Sequence, residues 1–245
     1  MKPETVQKIL DKVKSDYNTI AVDFDKSRQE LWPGSIEFKK YVQPGDNVLD
    51  AGCGNGKLRL MFKDVKVDYF GVDISQNLLT IAQKNSQFAL PNQQFFNAEI
   101  FQLPFADNFF DVIFCIAVFH HLPGYELRLK ALREFQRVLK PGGVLVMSNW
   151  NRWQRQSIYY IIKFTFLKIF GKSDLDFKDI FLPWQEGKVK RYYHAFTLGE
   201  LKKLVIKSDL NLVDQYLSYW DISCRQKVWP LGYIKGANIV TVAKK

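Results

Sequence analysis

Residues 50–56 read DAGCGNG, with glycine at every second position from Gly52 to Gly56, and they follow the apolar residues at 48 and 49. A glycine-rich turn between a strand and a helix lets the backbone approach a ligand closely and directs helix N-terminal amides toward it. The stretch therefore predicts the first strand and ligand loop of an α/β fold. It narrows the chemistry of the ligand without identifying it.

Outward from this loop, the first 150 residues alternate strand-like and helix-like stretches. The strand-like runs are 47–50, 67–73, 93–99, 109–118 and 144–150, and the helix-like stretches are 57–62, 75–85 and 125–140. This alternation predicts a doubly wound parallel sheet with helices on both faces. We expect Ser75 to cap a helix and Pro141 to stop the helix that ends at Lys140. Residues 210–216 and 237–245 are expected to form an antiparallel hairpin at the sheet edge.

The pattern changes after Trp150. Residues 151–172 contain five Lys or Arg and no acid, and 158–170 are all apolar, aromatic, Thr or Lys. This run is too short and too broken by lysine to span a bilayer. We interpret it as a helical lid over a pocket, with an interfacial membrane helix as the alternative. Thr197 and Glu200 form a capping box that predicts a further helix.

Size and charge limit the class of protein. A chain of 245 residues with 47% hydrophobic content is expected to fold as one domain. The N-terminus has no secretory signal pattern, which predicts a cytoplasmic location. The net charge is +10, and in residues 151–245 Lys and Arg outnumber Asp and Glu by 17 to 8. The last third is therefore predicted to meet an anion.

Cysteine and histidine give no sign of a metal site. Cys53, Cys115 and Cys224 are scattered without CxxC spacing, and the histidines are at 120, 121 and 194. We expect reduced, mostly buried thiols, no disulfide and no metal.

The glycine loop departs from two common nucleotide motifs. A P-loop requires Gly five residues before Gly56 and Ser or Thr after Lys57, but the chain has Ala51 and Leu58 there. A dinucleotide fingerprint requires its third glycine at the position of Lys57. Asp73 ends the second predicted strand, 21 residues after Gly52, where a carboxylate can accept hydrogen bonds from ribose hydroxyls. A nucleoside cofactor without an essential pyrophosphate, such as S-adenosylmethionine, satisfies both features.

Five ordered motifs carry a family resemblance: VLDAGCGNG, GVDIS, AEIFQLPF, FDVIFCIAVFHHL and EFQRVLKPGGVLVM, over about residues 45–148. They resemble the class I S-adenosylmethionine-dependent methyltransferases. The resemblance implies a Rossmann-like α/β fold with a seven-stranded, mostly parallel sheet and an antiparallel last strand. It also implies a cofactor-binding set, with Asn97 as a substitute for Glu99: Arg28, Asp50, Gly52, Gly54, Gly56, Asp73, Ile74, Glu99, Ile116 and Ala117.

The flanking segments carry a narrower resemblance. Residues 17–38, LPW at 182–184 and RYYHAFTLGEL at 191–201 are similar to the tRNA methyltransferases that esterify 5-carboxymethyluridine at the wobble position. The resemblance implies tRNA as a partner and, as in the eukaryotic enzymes, a small zinc-binding activator subunit. A small-molecule methyltransferase acting on a quinone, lipid or natural product, with 158–170 as a membrane contact, stays open as the alternative.

For such a substrate, the chemistry of the side chains assigns the candidates. Arginine can hold the carboxylate or a phosphate, aromatic rings can stack on an extruded uracil, and histidines can donate hydrogen bonds to either group. His120, Arg191 and His194 are the catalytic candidates. The substrate-binding candidates are Trp32, His121, Trp150, Arg152, Tyr192 and Tyr193. The basic surface predicted to contact RNA comprises Arg152, Arg155, Lys163, Lys168, Lys172, Lys188, Lys190, Lys202 and Lys203. We divide the single domain into an N-terminal helical cap (1–44), a cofactor-binding core (45–148), a basic aromatic insertion (149–200) and a C-terminal helix and hairpin (201–245).

Overall fold

The computed structural model describes residues 1–152, 155–184, 187–218 and 238–245 of the chain. In these ranges the strands are β1 (Asn47–Ala51), β2 (Asp68–Asp73), β3 (Gln93–Asn97), β4 (Phe110–Ile116), β5 (Leu139–Trp150), β6 (Asp179–Trp184), β7 (Val189–His194), β8 (Asn211–Ser218) and β9 (Asn238–Lys244). Seven of them form a sheet in the order β3-β2-β1-β4-β5-β9-β8, while β6 and β7 form a separate antiparallel hairpin. Strand β9 is antiparallel to β5 and β8, and the other neighbours are parallel. The predicted sheet is confirmed.

The α-helices of the described residues are α1 (Pro3–Thr19), α2 (Ala21–Lys26), α3 (Gln76–Lys84), α4 (Tyr125–Val138), α5 (Arg155–Ile169) and α6 (Leu198–Lys207). Short 3₁₀ segments lie at Pro33–Tyr41, Lys57–Phe62, Ser86–Phe88 and Phe119–His121. The hydroxyl of Ser75 accepts the N–H of Leu78, and that of Thr197 accepts the N–H of Glu200. Both helices begin at the predicted caps, because each hydroxyl satisfies an N–H without a partner in the helix. Only the Thr197 half of the predicted capping box is formed, since the carboxylate of Glu200 binds Lys178 and His194.

The prediction that Pro141 stops the helix at Lys140 is wrong by two residues. Helix α4 ends at Val138, and the chain enters β5 at Leu139, which pairs with Phe110 in the sheet. Leu139 is fully buried. Pairing with β4 therefore ends the helix before the proline does.

The core lies on both faces of the sheet because its central strands alternate their side chains. Leu49 belongs to the cluster that packs beneath α4 and α6, whereas Val48 belongs to the cluster beneath the 3₁₀ segments Pro33–Tyr41 and Lys57–Phe62. Successive residues of a strand point to opposite faces, so a strand covered on both sides is apolar throughout. This packing fixes the carboxyl ends of β1, β2 and β4 along one edge.

Candidate active site

The main cavity lies at the carboxyl ends of β1, β2, β4 and β5, where the strand order reverses between β1 and β4. Ligands of open α/β sheets bind at this switch point. The predicted site residues that line it are Arg28, Trp32, Asp50, Gly52, Gly54, Asp73, Ile74, Glu99, Ile116, Ala117, His120, His121, Trp150, Arg191 and Tyr193. Gly56, Arg152, Tyr192 and His194 do not line it. The fold thus brings together most of the predicted set.

The glycine loop presents backbone, rather than side chains, to the cavity. Gly52 has a φ of +86°, and a Cβ there would lie 2.2 Å from Cγ2 of Val118. Gly54 has a φ of +54°, and a Cβ there would lie 3.3 Å from the ring of Phe24. Both conformations favour glycine, and at Gly52 no side chain fits. A ligand can therefore approach the main chain closely here.

Gly56 was predicted to bind the cofactor, but it does not line the cavity. It lies in the left-handed region at φ +75°, and a Cβ there would lie 2.6 Å from the guanidinium of Arg59. Arg59 is fully buried and donates to the carbonyl of Gly56 at 2.9 Å and to that of Ala82 at 2.8 Å. Gly56 thus makes room for a structural arginine outside the cavity.

Two buried carboxylates line the cavity at the ends of neighbouring strands. Asp50, at the end of β1, accepts the hydroxyl of Tyr69 at 2.6 Å, and burial raises the pKa of its carboxyl to about 7. Asp73, at the end of β2, accepts the N–H groups of Ser75 and Gly54, both at 2.8 Å. Burial raises the pKa of Asp73, although its backbone hydrogen bonds act in the opposite direction.

Glu99, after β3, is the third carboxylate of the cavity. Burial raises its pKa, and the positive charge of Lys14 opposes that shift. Asn97 does not substitute for it, because its amide donates to the carbonyls of Asp73 and Ile74 at 3.0 and 3.1 Å and does not line the cavity. Asn97 instead fixes the chain at the ends of β2 and β3.

Two neutral histidines, in the 3₁₀ segment that follows β4, form one wall of the cavity. His121 Nδ1 lies 2.7 Å from the carbonyl of Tyr192, and Nε2 lies 2.7 Å from the hydroxyl of Tyr17. A carbonyl only accepts, so Nδ1 carries the proton and Nε2 accepts from Tyr17. His120 Nδ1 accepts the N–H of Trp150 at 3.3 Å, which leaves its proton on Nε2. Burial lowers the pKa of His121 to about 3 and that of His120 well below its usual value.

An arginine and an aromatic wall complete the side of the cavity formed by β5 and β7. The guanidinium of Arg191 lies 5.4 Å from the ring centre of Trp184 and 5.3 Å from that of Tyr193, and Nη1 lies 3.4 Å from the hydroxyl of Tyr17. Its Nε is buried without a hydrogen-bond partner among the described residues. Tyr193 stacks on Trp150 at 4.6 Å and on His120 at 5.1 Å between ring centres. The Nε–H of Arg191 is thus available to bind an acceptor beside the aromatic rings.

Tyr192 and His194 belong to a buried ionic network behind the site, which corrects their predicted roles. His194 Nδ1 lies 2.6 Å from Asp179, and Nε2 lies 2.7 Å from Glu200. Asp179 also accepts from Arg128, which donates to the hydroxyl of Tyr192 at 3.1 Å. Each nitrogen of His194 thus faces a carboxylate, which fixes the orientation of the ring. The network positions β7, and none of its residues lines the cavity.

Arg152 is half-buried and lies outside the cavity, and its backbone N–H donates to the carbonyl of Phe196 at 2.8 Å. Cys53 and Cys115 are buried as free thiols. Cys224 lies outside the described residues, as does the side chain of Arg155.

The predicted lid, residues 158–170, is helical but does not cover the cavity. Ile161 and Phe164 of α5 pack against the β6–β7 hairpin, and no described residue of α5 lines the cavity. The cover is instead formed by α1, α2 and the segment after α2, with Tyr17 and Phe24 facing inward. On the outer face of α5, Ile162 and other large apolar side chains are more than half exposed. Among the described residues no helix combines the length and the apolar character needed to cross a bilayer.

The sequence interpretation assigned no site role to three residues that shape the cavity. Tyr17 binds Nε2 of His121 through its hydroxyl, Lys57 lines the cavity beside Trp32, and Val118 packs over Gly52. Tyr17 lies four residues after the buried Val13 on α1, a spacing that places both on one helix face. That spacing was the available signal, but it does not distinguish a site residue from core.

These residues fit S-adenosylmethionine. The Cβ-free main chain at Gly52 and Gly54 admits a close ligand, Asp73 retains acceptor capacity toward the cavity, and Asp50 and Lys57 bring a carboxyl and an amine to the same cavity. These features suit a nucleoside that carries an amino-acid chain.

Comparisons with known proteins agree with this interpretation. Residues 49–147 match a family model described as a methyltransferase domain. A tRNA (carboxymethyluridine(34)-5-O)-methyltransferase of Arabidopsis thaliana is 35% identical over 148 residues, which is 60% of this chain and 34% of that protein. The protein of the same name from Schizosaccharomyces pombe is 28% identical over 211 residues, 77% of this chain and 84% of that one. The chain thus spans about a third of the length of its Arabidopsis relative.

Solved structures show the same fold. A Methanosarcina mazei S-adenosylmethionine-dependent methyltransferase superimposes with a TM-score of 0.68 at 24% identity, covering 88% of this chain and 98% of that one. A Haloferax volcanii complex of the Trm112 methyltransferase activator with a methyltransferase gives 0.64 at 17% identity, covering 95% and 96%. The predicted fold class and cofactor are confirmed. Residues 49–147 therefore form a methyltransferase domain, within a chain that has the class I S-adenosylmethionine-dependent methyltransferase fold.

Proposed function

We propose that this chain is an S-adenosylmethionine-dependent methyltransferase that esterifies the carboxylate of 5-carboxymethyluridine at the wobble position of tRNA. The observation that carries the proposal is Arg191, whose guanidinium lines the cavity beside an aromatic wall and whose buried Nε has no hydrogen-bond partner among the described residues. The names of the Arabidopsis and Schizosaccharomyces relatives support the same substrate.

The neutral histidines suit a carboxylate acceptor. A carboxylate is already ionised at neutral pH, so its methylation requires no general base and depends on placement of the anion. When bound, S-adenosylmethionine supplies an electrophilic methyl group on its sulfonium. Burial keeps His120 and His121 uncharged, so they donate and accept hydrogen bonds without adding positive charge to a site for a cationic cofactor. His120 Nε2–H is the donor left for the substrate.

Arg191 would hold the carboxylate through its planar donor fork. Trp184 and Tyr193 lie against its guanidinium and restrict its rotation, and Tyr17 lies within 3.4 Å of Nη1. A restrained guanidinium loses little freedom when it binds an anion. It therefore orients the acceptor oxygen rather than activating it chemically.

The aromatic wall would hold the base. The rings of Trp150 and His120 both stack on Tyr193, with centres 4.6 and 5.1 Å apart, and the three form one wall of ring faces along the cavity. Proteins that bind single-stranded RNA stack unpaired bases on such faces. Tyr193 contributes to this wall in the proposal, in place of Tyr192, which does not line the cavity.

The predicted basic surface would hold the phosphates. Lys163, Lys172, Lys190, Lys202 and Lys203 are exposed, whereas Lys188 forms an ion pair with Asp23. Phosphate contacts supply affinity that falls with salt and carry no sequence information. Specificity for the wobble base would then come from the cavity. A small activator subunit is part of the proposal, because one structural neighbour is a complex with the Trm112 activator.

A small-molecule methyltransferase is the second candidate, and one observation favours it. On α5, Tyr159, Ile162, Phe166 and Ile169 are 52–65% exposed at helical spacing, as in a helix that lies on a lipid surface. A lipid or quinone acceptor would explain this face.

Transfer of a labelled methyl group decides between the two. The protein is incubated with labelled S-adenosylmethionine and with total tRNA from cells that lack it, and in parallel with a lipid extract. Label in 5-methoxycarbonylmethyluridine after nucleoside analysis is the expected result. Label in the lipid fraction alone would overturn the proposal.

A further inference from the structure

The outer face of α5 consists of large apolar side chains that are open to solvent. Each of its members is 52–70% exposed, and they are Tyr159, Ile162, Phe166, Ile169 and Phe170. The spacing of three and four residues between the first four places them on one side of the helix. A contiguous exposed apolar surface of this kind marks a site of contact with a partner protein or a membrane.

The inner face of α5 fixes the direction in which the outer face points. Ile161 is buried, and it packs with Phe164 against the β6–β7 hairpin. No described residue of α5 lines the main cavity. The fold therefore holds the outer face toward solvent, where it contributes neither to the core nor to the described site.

The charged residues along α5 are all basic. Residues 151–172 contain five Lys or Arg and no Asp or Glu. Lys163 is exposed and follows Tyr159 by four residues, so it borders the outer face, and Lys172 is exposed just beyond the end of the helix. Lysines in such positions reach the headgroups of anionic lipids while neighbouring apolar side chains enter the boundary of the acyl chains. The charge of α5 thus complements an anionic lipid surface.

Other occupants fit this combination of apolar and basic residues less well. The phosphates of an RNA would pair with the lysines but would leave Ile162 and Ile169 without an apolar partner. A second copy of the chain, bound through the same face, would bring two positively charged helices together, and like charges oppose such contact. With 15 residues, α5 is also shorter than the about 20 that cross a bilayer, so it would lie along a membrane surface.

We propose that α5 docks this protein on an anionic lipid bilayer, with the outer face at the boundary of the acyl chains and Lys163 and Lys172 on the headgroups. The inference rests on α5 and not on the proposed acceptor, because an enzyme held at a membrane can methylate either tRNA or a lipid. Lys163 and Lys172 then contact lipid, which leaves Lys190, Lys202 and Lys203 for the phosphates of tRNA.

The test is co-sedimentation of the full chain with vesicles of two compositions, phosphatidylcholine alone and phosphatidylcholine mixed with phosphatidylglycerol. Wild-type protein is expected to bind the mixed vesicles at least about 10-fold more tightly, because lysines near an anionic surface add to the affinity. The pair Ile162→Asn with Phe166→Asn should weaken that binding at least about 30-fold, since two apolar side chains no longer enter the acyl boundary. The pair Lys163→Gln with Lys172→Gln should weaken binding to the mixed vesicles about 10-fold and leave binding to the neutral ones nearly unchanged.

Two matched pairs of substitutions are the controls. Ile206→Asn with Val213→Asn changes apolar side chains on α6 and β8 that are 55% and 54% exposed. Lys63→Gln with Lys66→Gln removes two exposed lysines outside α5. Both pairs should bind the mixed vesicles within about twofold of wild type. In every variant the affinity for S-adenosylmethionine, measured by calorimetry, should also stay within about twofold, because none of the changed residues lines the cavity.

Several outcomes would overturn the proposal. Wild-type protein that binds neither kind of vesicle, or both equally, would exclude docking on an anionic bilayer, and this comparison decides even if a variant does not fold. Equal losses in the α5 pairs and the control pairs would remove α5 from the contact. A wild-type dimer in sedimentation velocity that Ile162→Asn with Phe166→Asn dissociates would assign the outer face to a second copy. Loss of tRNA binding in that pair, with vesicle binding unchanged, would assign the face to RNA.

Discussion

The Oδ2 atom of Asp73 accepts the N–H of Gly54 at 2.8 Å and so joins the end of β2 to the loop after β1. Oδ1 of the same carboxylate accepts the N–H of Ser75 at 2.8 Å. One side chain thus shapes the glycine loop, fixes the start of α3 and faces the cavity. We therefore expect loop conformation and cofactor binding to be coupled through Asp73.

Asp73→Ala should abolish measurable cofactor binding, with at least about a 100-fold loss of affinity, because ribose acceptors and the loop contact are lost together. Asp73→Asn keeps one acceptor oxygen and should lose less. Asp68→Ala, at the opposite end of β2, is the matched control. Calorimetry with S-adenosylmethionine measures all three, and wild-type affinity in Asp73→Ala would refute this role.

Gly52→Ala should destabilise the fold, because its Cβ would lie 2.2 Å from Val118 at a φ of +86°. We expect a loss of about 1–3 kcal/mol in the free energy of unfolding. Gly45→Ala is the matched control, because its φ is +92° but its Cβ would meet nothing within 4 Å. The difference between the two variants in urea denaturation isolates the steric contribution. Adding Val118→Ala should recover part of it, and the absence of any recovery would contradict the packing argument.

Arg191→Met should remove product formation and leave cofactor affinity within about twofold, since Arg191 lies on the β7 side of the cavity. Arg191→Lys keeps the charge without the planar fork and should restore little activity. Lys66→Met changes an exposed lysine outside the predicted RNA surface and should retain activity. Methyl transfer and calorimetry are measured on the same preparations. A parallel loss of cofactor affinity in Arg191→Met would disprove this division of roles.

Glu200→Gln should lower the free energy of unfolding at pH 7. It should also make that free energy depend less on pH below 4.5. Burial by itself would raise the pKa of Glu200, but hydrogen bonds from His194 and Lys178 outweigh it and lower the pKa to about 2. The stabilisation is therefore complete above pH 4.5, the ordinary value, and is lost as the pH falls toward 2. Urea denaturation at pH 7, 4.5 and 3 should show this loss in wild type and less of it in the variant. Glu126→Gln, at an exposed position, should behave as wild type.

The cofactor half of the site was predictable from the sequence because its signals are local. Glycine spacing, a strand-end carboxylate at Asp73 and a cap at Ser75 each follow from a few neighbouring residues. The substrate half was only partly predictable, because it depends on contacts distant in sequence. Tyr192 and Tyr193 are equivalent in the sequence, yet strand alternation buries one beside Arg128 and turns the other into the cavity.

The roles of His194 and of residues 158–170 illustrate the same limit. His194 is adjacent to Tyr193 but faces Asp179 and Glu200, which makes it part of the scaffold. The apolar run at 158–170 resembles a lid in composition, but α5 packs on the β6–β7 hairpin because that hairpin offers it an apolar face. Composition alone does not determine which surface a helix covers.

The most direct measurement is methyl transfer to two synthetic anticodon stem-loops that differ in one group. One carries 5-carboxymethyluridine at the wobble position, and the other carries the corresponding carboxamide, which has no anionic oxygen for Arg191 to hold. The proposed function predicts transfer to the carboxylate and none to the carboxamide, with the product identified as the methyl ester. Equal transfer to both, or transfer to neither by a protein that binds S-adenosylmethionine, would contradict it.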